Sequence, residues 1–200
     1  SEAVIEVFGT PAVEGGKSYY LEISSDYPVN GSNFLRFAQK PESYLNDVRY
    51  DINSSGEWVA VYWKLAMRIY GKSHIDSEEE LIYDSWSGSW EGWNRECKLR
   101  ESSSNIKIGQ KFSLEGSGKW YISKIVICDV VVEGELPAES RNTKIRILDS
   151  NKNQIGGFSY RLEDYTPSEG DAFFVFPQRA EVNDLRVSFE SVKDSSGALI

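Results

Sequence analysis

Residues 57–70 read EWVAVYWKLAMRIY, and every second position, Val59, Val61, Trp63, Leu65, Met67 and Ile69, is apolar. Between them stand Trp58, Ala60, Tyr62, Lys64, Ala66, Arg68 and Tyr70. Successive side chains of a strand point to opposite faces, so this spacing predicts one long strand. It buries the apolar stripe and turns a mixed aromatic and cationic stripe away from the core. A helix would instead place Lys64 and Arg68 within or beside its apolar face.

The two-residue period recurs along the chain. Tyr19, Leu21 and Ile23 alternate with Ser18, Glu22 and Ser24; Val48, Tyr50 and Ile52 alternate with Asp47, Arg49 and Asp51; Leu185, Val187 and Phe189 alternate with Arg186, Ser188 and Glu190. Each reads as a half-buried strand. Further strands are expected at 2–8, 33–38, 79–86, 94–100, 106–114, 119–132, 143–149, 154–162 and 171–177, separated by clusters such as GTPAVEGG, VNGS, NSSG, EGSG and TPSEG. Such Gly, Pro, Asn and Ser clusters are turn chemistry.

About a dozen short strands with no sustained helical period predict an all-β chain of antiparallel β-sandwich architecture. It is either two immunoglobulin-like or jelly-roll-like sandwiches or one large jelly roll. The Ser/Gly-rich SWSGSWEGW stretch at 85–93 is the favoured boundary. It divides an N-terminal sandwich, 1–90, from a C-terminal immunoglobulin-like sandwich, 91–200, with a single domain over 1–200 as the alternative.

Composition narrows the class of protein. The chain carries 31 acidic and 22 basic residues, a formal charge of −9, over 200 residues. Its basic residues are scattered singly along the sequence, which lacks the basic stripe by which nucleic-acid binders displace counterions. Lys64 and Asp129 interrupt the longest apolar runs, so no span of the roughly 20 residues a membrane helix needs is present. No charged leader followed by an apolar core opens the chain. Cys97 and Cys128 have no other cysteine to pair with. Pairing would close a loop for roughly 3–4 kcal/mol and require an oxidising compartment, so a disulfide is expected if the protein is extracellular. Otherwise each is a small buried hydrophobe.

Residues 126–177 read VICDVVVEGEL…TKIRILDSNKNQIGGFSYRLEDYTPSEGDAFFVF. The segment around 119–192 resembles the FxLYD-type immunoglobulin-like extracellular domains. In that group a strand ending in Val-x-Gly precedes an F-x-L-Y-D strand, a polar hairpin turn and a Pro-Gly-acid turn into an aromatic strand. Ile145-Arg146-Ile147-Leu148-Asp149 stands in the motif's place, with only the Asp matching strictly. The resemblance implies a secreted or surface-anchored module without implying an activity; for residues 1–90 no resemblance is recognised.

Candidate chemistry is sparse. His74 is the only histidine and lies in the polar run GKSHIDSEEE, which reads as an exposed loop rather than a Ser-His-Asp or zinc site. Acids two or four apart share a strand face, so Glu78 with Glu80 or Asp47 with Asp51 are the candidate carboxylate pairs. Neither lies among same-face aromatics, and both read as solvated faces. Asp149, Asn151 and Asn153 have the oxygen-ligand spacing of a calcium loop, but Gln154 and Tyr160 occupy the places where an EF-hand needs Gly and Glu. A plain hairpin turn explains them as well, so no cofactor is expected beyond possible calcium.

Aromatic residues are the most distinctive feature, with six Trp, eleven Tyr and nine Phe. Trp86, Trp90 and Trp93 sit in a Gly- and Ser-rich stretch. Read as extended chain, they offer rings on which the apolar faces of sugars stack, or rings that fill a core or seam. Trp58, Tyr62 and Tyr70 have the same two readings. Together these six residues are the expected binding set. The resulting expectation is a non-catalytic extracellular or cell-surface protein that binds a carbohydrate or surface polymer, without nucleic acid or a membrane span. The alternative is a subunit of an extracellular filament or surface layer, joined to identical subunits by strand addition through residues 2–8. A glycan-active enzyme is the third reading.

Overall fold

Strand pairing gives two antiparallel sheets, and the described residues contain no helix. The computed structural model describes residues 11–25, 29–42, 47–74, 77–86, 91–134, 142–161 and 170–175. Sheet A contains β1 (Ala12–Glu14), β3 (Phe34–Pro41), β6 (Trp63–Leu65), β7 (Met67–Lys72), β8 (Glu80–Asp84), β9 (Asn94–Leu99), β11 (Lys119–Glu133) and β14 (Gly170–Val175). Sheet B runs in the order β13 (Gln154–Arg161), β12 (Asn142–Leu148), β2 (Ser18–Ser25), β10 (Lys107–Ser113), β4 (Arg49–Ile52), β5 (Trp58–Val61).

The sheets face one another across one apolar cluster. Leu21, Ile23, Ile108, Phe112, Ile145 and Ile147 of sheet B meet Leu35, Phe37, Leu65, Met67, Ile69, Leu99, Ile122, Ile125 and Ile127 of sheet A. Outside β11 they alternate with polar or outward positions, as a two-layer sandwich requires. Burying each of these side chains contributes about 1.5–3 kcal/mol. Both sheets mix strands from either side of residue 90, with β9 on β3, β11 on β7, and β10 and β12 on β2. The expected boundary at 85–93 therefore does not separate two sandwiches among the described strands.

The stretch that announced the fold is three strands rather than one. Trp58–Val61 closes the edge of sheet B and, after a bend at Tyr62, Trp63–Leu65 and Met67–Lys72 belong to sheet A. Leu65, Met67 and Ile69 are completely buried, as the alternation predicts. Val59 is 48% exposed, and Val61 and Trp63 are only half-buried. β5 is an edge strand paired with β4, so its inward positions lie at the rim of the sandwich. Periodicity reports the side of a strand and is silent about the sheet that holds it.

A second correction concerns β4. The alternation assigned Asp47, Arg49 and Asp51 to solvent, yet this stripe points between the sheets. The Arg49 guanidinium donates from Nη1 to Gln39 Oε1 of sheet A at 2.8 Å and lies 3.3 Å from Asp51 Oδ1. Gln39 Nε2 continues to Asn94 Oδ1 at 3.2 Å. Gln110 of sheet B makes a parallel bridge. Its Oε1 accepts the Leu65 amide of sheet A at 2.8 Å, and its Nε2 donates to the carbonyls of Asp47 and Lys111.

The cysteines are also corrected: they are not disulfide-bonded. Cys97 packs in the cluster between the sheets, next to Leu99 and Phe37. Cys128 packs with Ala38, Ala66, Val126 and Trp93. Ala38 follows Phe37 on β3, and Ala66 stands between Leu65 and Met67 at the junction of β6 and β7, so both face away from the inner cluster and Cys128, packed on them, is on the opposite face of sheet A. Two thiols on opposite faces of one sheet cannot meet.

Gln110→Leu should leave the Leu65 amide and the Asp47 carbonyl buried without their partner, and cost about 2–4 kcal/mol in urea unfolding. A loss below about 1 kcal/mol would remove the bridge as a constraint on the two sheets. For the cysteines, the native protein should show no two-dalton mass deficit and should take up two alkyl groups once denatured.

Candidate functional site

The outer face of sheet B is the most organised surface in the described residues. Cross-strand partners share a face, and the registers set out a grid. One row reads Trp58, Ile52, Lys107, Ser24 and Lys144; the next reads Ala60, Tyr50, Gly109, Glu22 and Arg146; a third pairs Lys111 with Tyr20 and Leu148. The stripe alternating with it, Ile108, Phe112, Leu21, Ile23, Ile145 and Ile147, is the core.

Gly109 makes the centre of this face possible. The six-membered ring of Trp58, which starts two strands away, lies directly over it. A Cβ at Gly109 would stand 2.9 Å from Cε3 and Cη2 and closer still to Cζ3. Glycine within a strand weakens it by removing packing, unless something approaches the bare backbone. Here an indole occupies the vacated space and lies along the sheet. Tyr20 meets Trp58 edge-on, with centroids 5.4 Å apart and planes at 77°, and Tyr50 lies at 5.6 Å and 60°. Tyr20 and Tyr50 are 5.8 Å apart at 67°. Edge-to-face geometry places the positive rim of one ring on the negative face of another and is worth ~0.5–1.5 kcal/mol per pair beyond area. The Lys152 ammonium sits 4.5 Å from the Trp58 centroid and 6.0 Å from that of Tyr20, within cation–π range.

Beside the rings lies the buried carboxylate of Glu22. It accepts from Arg146 Nε at 2.8 Å, receives a second bond from Nη2, and has Lys107 Nζ at 3.5 Å.

The expected binding residues divide between three places. Trp58 is on this face, half-buried. Tyr62 is 63% exposed at the crossing between the sheets. Tyr70, Trp86 and Trp93 belong to a small cluster on the outer face of sheet A around Ala38, Ala66, Val126 and Cys128. There Trp93 is 8% exposed and meets Trp86 edge-on at 5.0 Å, while Lys124 caps Tyr70 at 4.0 Å. Trp93 therefore covers a seam and is corrected as an exposed stacking ring. Trp90 lies outside the described residues, as do residues 2–8 of the strand-addition reading and the strand expected around Leu185.

Tyr20, Tyr50, Gly109 and Lys152 were not singled out from the sequence. Tyr20 follows Tyr19 and hides as the polar phase of an amphipathic strand. Tyr50 was assigned to a buried stripe that turns out to face away from sheet A.

The proposed calcium loop is a hairpin turn. Asp149 Oδ1 accepts the amides of Asn151 and Asn153 at 2.8 and 2.9 Å, and Oδ2 accepts the Asn153 side-chain amide at 3.1 Å. These bonds, the Asn153 amide first, hold the Asp149 carboxyl below its usual range. Lys152 takes the left-handed conformation at φ 66° that the turn requires. No group of three or more His, Cys, Asp or Glu able to hold a metal occurs among the described residues. His74 is on the surface, its amide bonded to Ser77 Oγ at 3.1 Å. Glu78 and Glu80 are exposed.

The interior polar seam has shifted titrations. Burial pushes the Asp47 carboxyl upward, offset in part by the Lys64 ammonium, and pushes Asp51 upward against the pull of Arg49. Burial, with Asp47 nearby, raises the Tyr83 hydroxyl. Tyr83 Oη and Asp47 Oδ1 approach without reaching full hydrogen-bond geometry. Burial also pushes the Cys97 thiol up to about 11, so it stays protonated at neutral pH and is a poor nucleophile. No family model, curated protein or solved structure matches the chain.

A raised carboxyl favours the fold fully below the unfolded value near 3.8 and loses that contribution as pH rises through the folded value. Asp47→Asn should therefore gain melting temperature relative to the parent as pH climbs above about 4. A difference that stays flat or falls over that range would show that Asp47 is not held in an unfavourable charged state.

Proposed function

We propose that the chain is a non-catalytic recognition protein that binds a carbohydrate or related surface polymer on the outer face of sheet B. The observation that carries the reading is the Trp58 indole laid over Gly109. A pyranose ring has an apolar C–H face and a polar rim. It stacks on a planar π surface while its hydroxyls seek nearby polar groups. Tyr20 packs edge-to-face with the indole and Tyr50 lies tilted against it, and Tyr62 adds an exposed ring just past the end of the same edge strand. Lys152, on a surface hairpin, covers the indole and is displaceable by a ligand. The compartment that suits such a function is extracellular or the cell surface, where polymers of this kind are found.

Trp58→Ala should abolish retention on an immobilised polysaccharide panel, while far-ultraviolet circular dichroism keeps its β signature. Gly109→Ala should reproduce much of that loss, because the added methyl displaces the ring without removing it. Equal retention by the parent and both variants would place any binding elsewhere, and a parent that binds no glycan would end the reading.

A further inference from the structure

Among the described strands β5 pairs with β4 alone, so one side of its backbone faces outward at the end of sheet B. The turn before it fixes which groups those are. Gly56 donates to the Asn53 carbonyl and Asn53 donates to that of Glu57, so Asn53 and Glu57 form a hydrogen-bonded pair. Such pairs recur every second residue in an antiparallel ladder, which makes Val59 with Asp51 and Val61 with Arg49 the next ones. The amides and carbonyls of Trp58 and Ala60, with the Tyr62 amide, therefore point to the open edge.

A sheet edge is ordinarily blunted by charge, proline or a bulge. The other strands that end the two sheet orders follow that rule. β6 carries Lys64, β8 carries Glu80 and Asp84 with a register shift, and β13 ends on Arg161 with a register shift against β12. β5 has none of these. From Trp58 to Tyr62 the chain reads WVAVY, without charge or proline and in regular register, and Val59, Ala60 and Tyr62 are exposed. The pattern is also its own mirror image about Ala60: aromatic, Val, Ala, Val, aromatic.

We propose that β5 joins two copies of this chain in an antiparallel ladder of β5 on β5, with the two-fold axis at Ala60. A two-fold contact must be self-complementary, because residue i meets j while j meets i. Centred on Ala60, the ladder exchanges both backbone bonds between the Ala60 residues and brings each Tyr62 amide to the Trp58 carbonyl of the other copy. Val59 meets Val61 on the interlayer side, an apolar cross-strand pair. On the outer side Trp58 meets Tyr62. The indole leans inward over Gly109 and so leaves room at the edge for the exposed tyrosine ring. No charge meets its own image across the axis, as an ionised residue at Ala60 would. A foreign strand would need no mirror symmetry, which is why the second copy is the favoured occupant. The joined sheet carries both Trp58 faces on one side, and the contact does not depend on what those faces bind.

Sedimentation of the full chain from about 1 μM to about 1 mM should show a monomer–dimer equilibrium in the micromolar range, as contacts below about 1,200 Å² give. The charge of −9 on each copy opposes association, so raising salt from about 0.05 M to about 0.5 M should tighten the dimer. Ala60→Lys sets like charges face to face and should weaken it about tenfold or more. Leu81→Lys, exposed on the edge strand β8, should change nothing. Amide hydrogen exchange reads the contact without a variant: Ala60 and Tyr62 should slow as concentration rises, while Val59 and Val61 stay protected throughout by β4. A monomer at every concentration overturns the proposal, as do oligomers that grow beyond two and a dimer lost with Leu81→Lys but kept with Ala60→Lys. Ala60 and Tyr62 amides already slow in the dilute monomer mean that the chain covers its own edge. Slowing only after an extended apolar peptide is added makes a foreign strand the partner, and either result overturns the second copy.

Discussion

One strand holds the sandwich together. The fifteen residues of β11 pair with β1 and β14 and with β7 and β3 at successive stations along their length. A strand of ordinary length has too few backbone groups for four partners. The price of serving all four is an irregularity. Asp129 adopts φ 53° where the register against β14 shifts, and its carboxylate is held by the Arg95 guanidinium, with Nη2 at 2.7 Å. Ile122, Ile125 and Ile127 point into the main cluster and Val126 and Cys128 into the cluster beneath Trp93, so β11 is buried on both faces. That explains a run as apolar as YISKIVICDVVV in a chain that otherwise alternates.

The fold class was legible because the two-residue period is a local property, readable wherever one face of a strand is buried. It placed Leu65, Met67 and Ile69 correctly. It failed at Val59 because the sheet assignment changes at Tyr62, an event with no local signature beyond a phase that continues unbroken. The aromatic site was partly legible through Trp58. Its partners were not, because the indole rests on Gly109, 51 positions later in sequence, and nothing in either segment announces the other. The charged positions of this face were hidden for the same reason. Lysines that look scattered along the chain become neighbours only when β10, β2 and β12 align.

β4 shows why charge patterning misleads at a sheet seam. Ile52, and Val48 just before the strand, are buried on the outer side, while Arg49 and Asp51 are turned between the layers, where Arg49 donates to Gln39 and lies 3.3 Å from Asp51. The inversion is tolerable because this end of the interlayer already holds Gln110 and Asn94. Buried ionic groups of this kind add little to net stability compared with well-packed apolar ones. They do restrict which residues can sit opposite.

The crossing at Tyr62 has a wider meaning. Because one continuous backbone passes from the edge of sheet B into sheet A, that corner of the sandwich is covalently closed. The layers cannot shear there without breaking strand pairing on both sides. Trp58 stands four residues before the crossing, with its ring already seated against glycine. On the proposed reading, a ligand docking there would meet a surface whose conformational freedom was surrendered when the chain folded, so association would forfeit little further entropy.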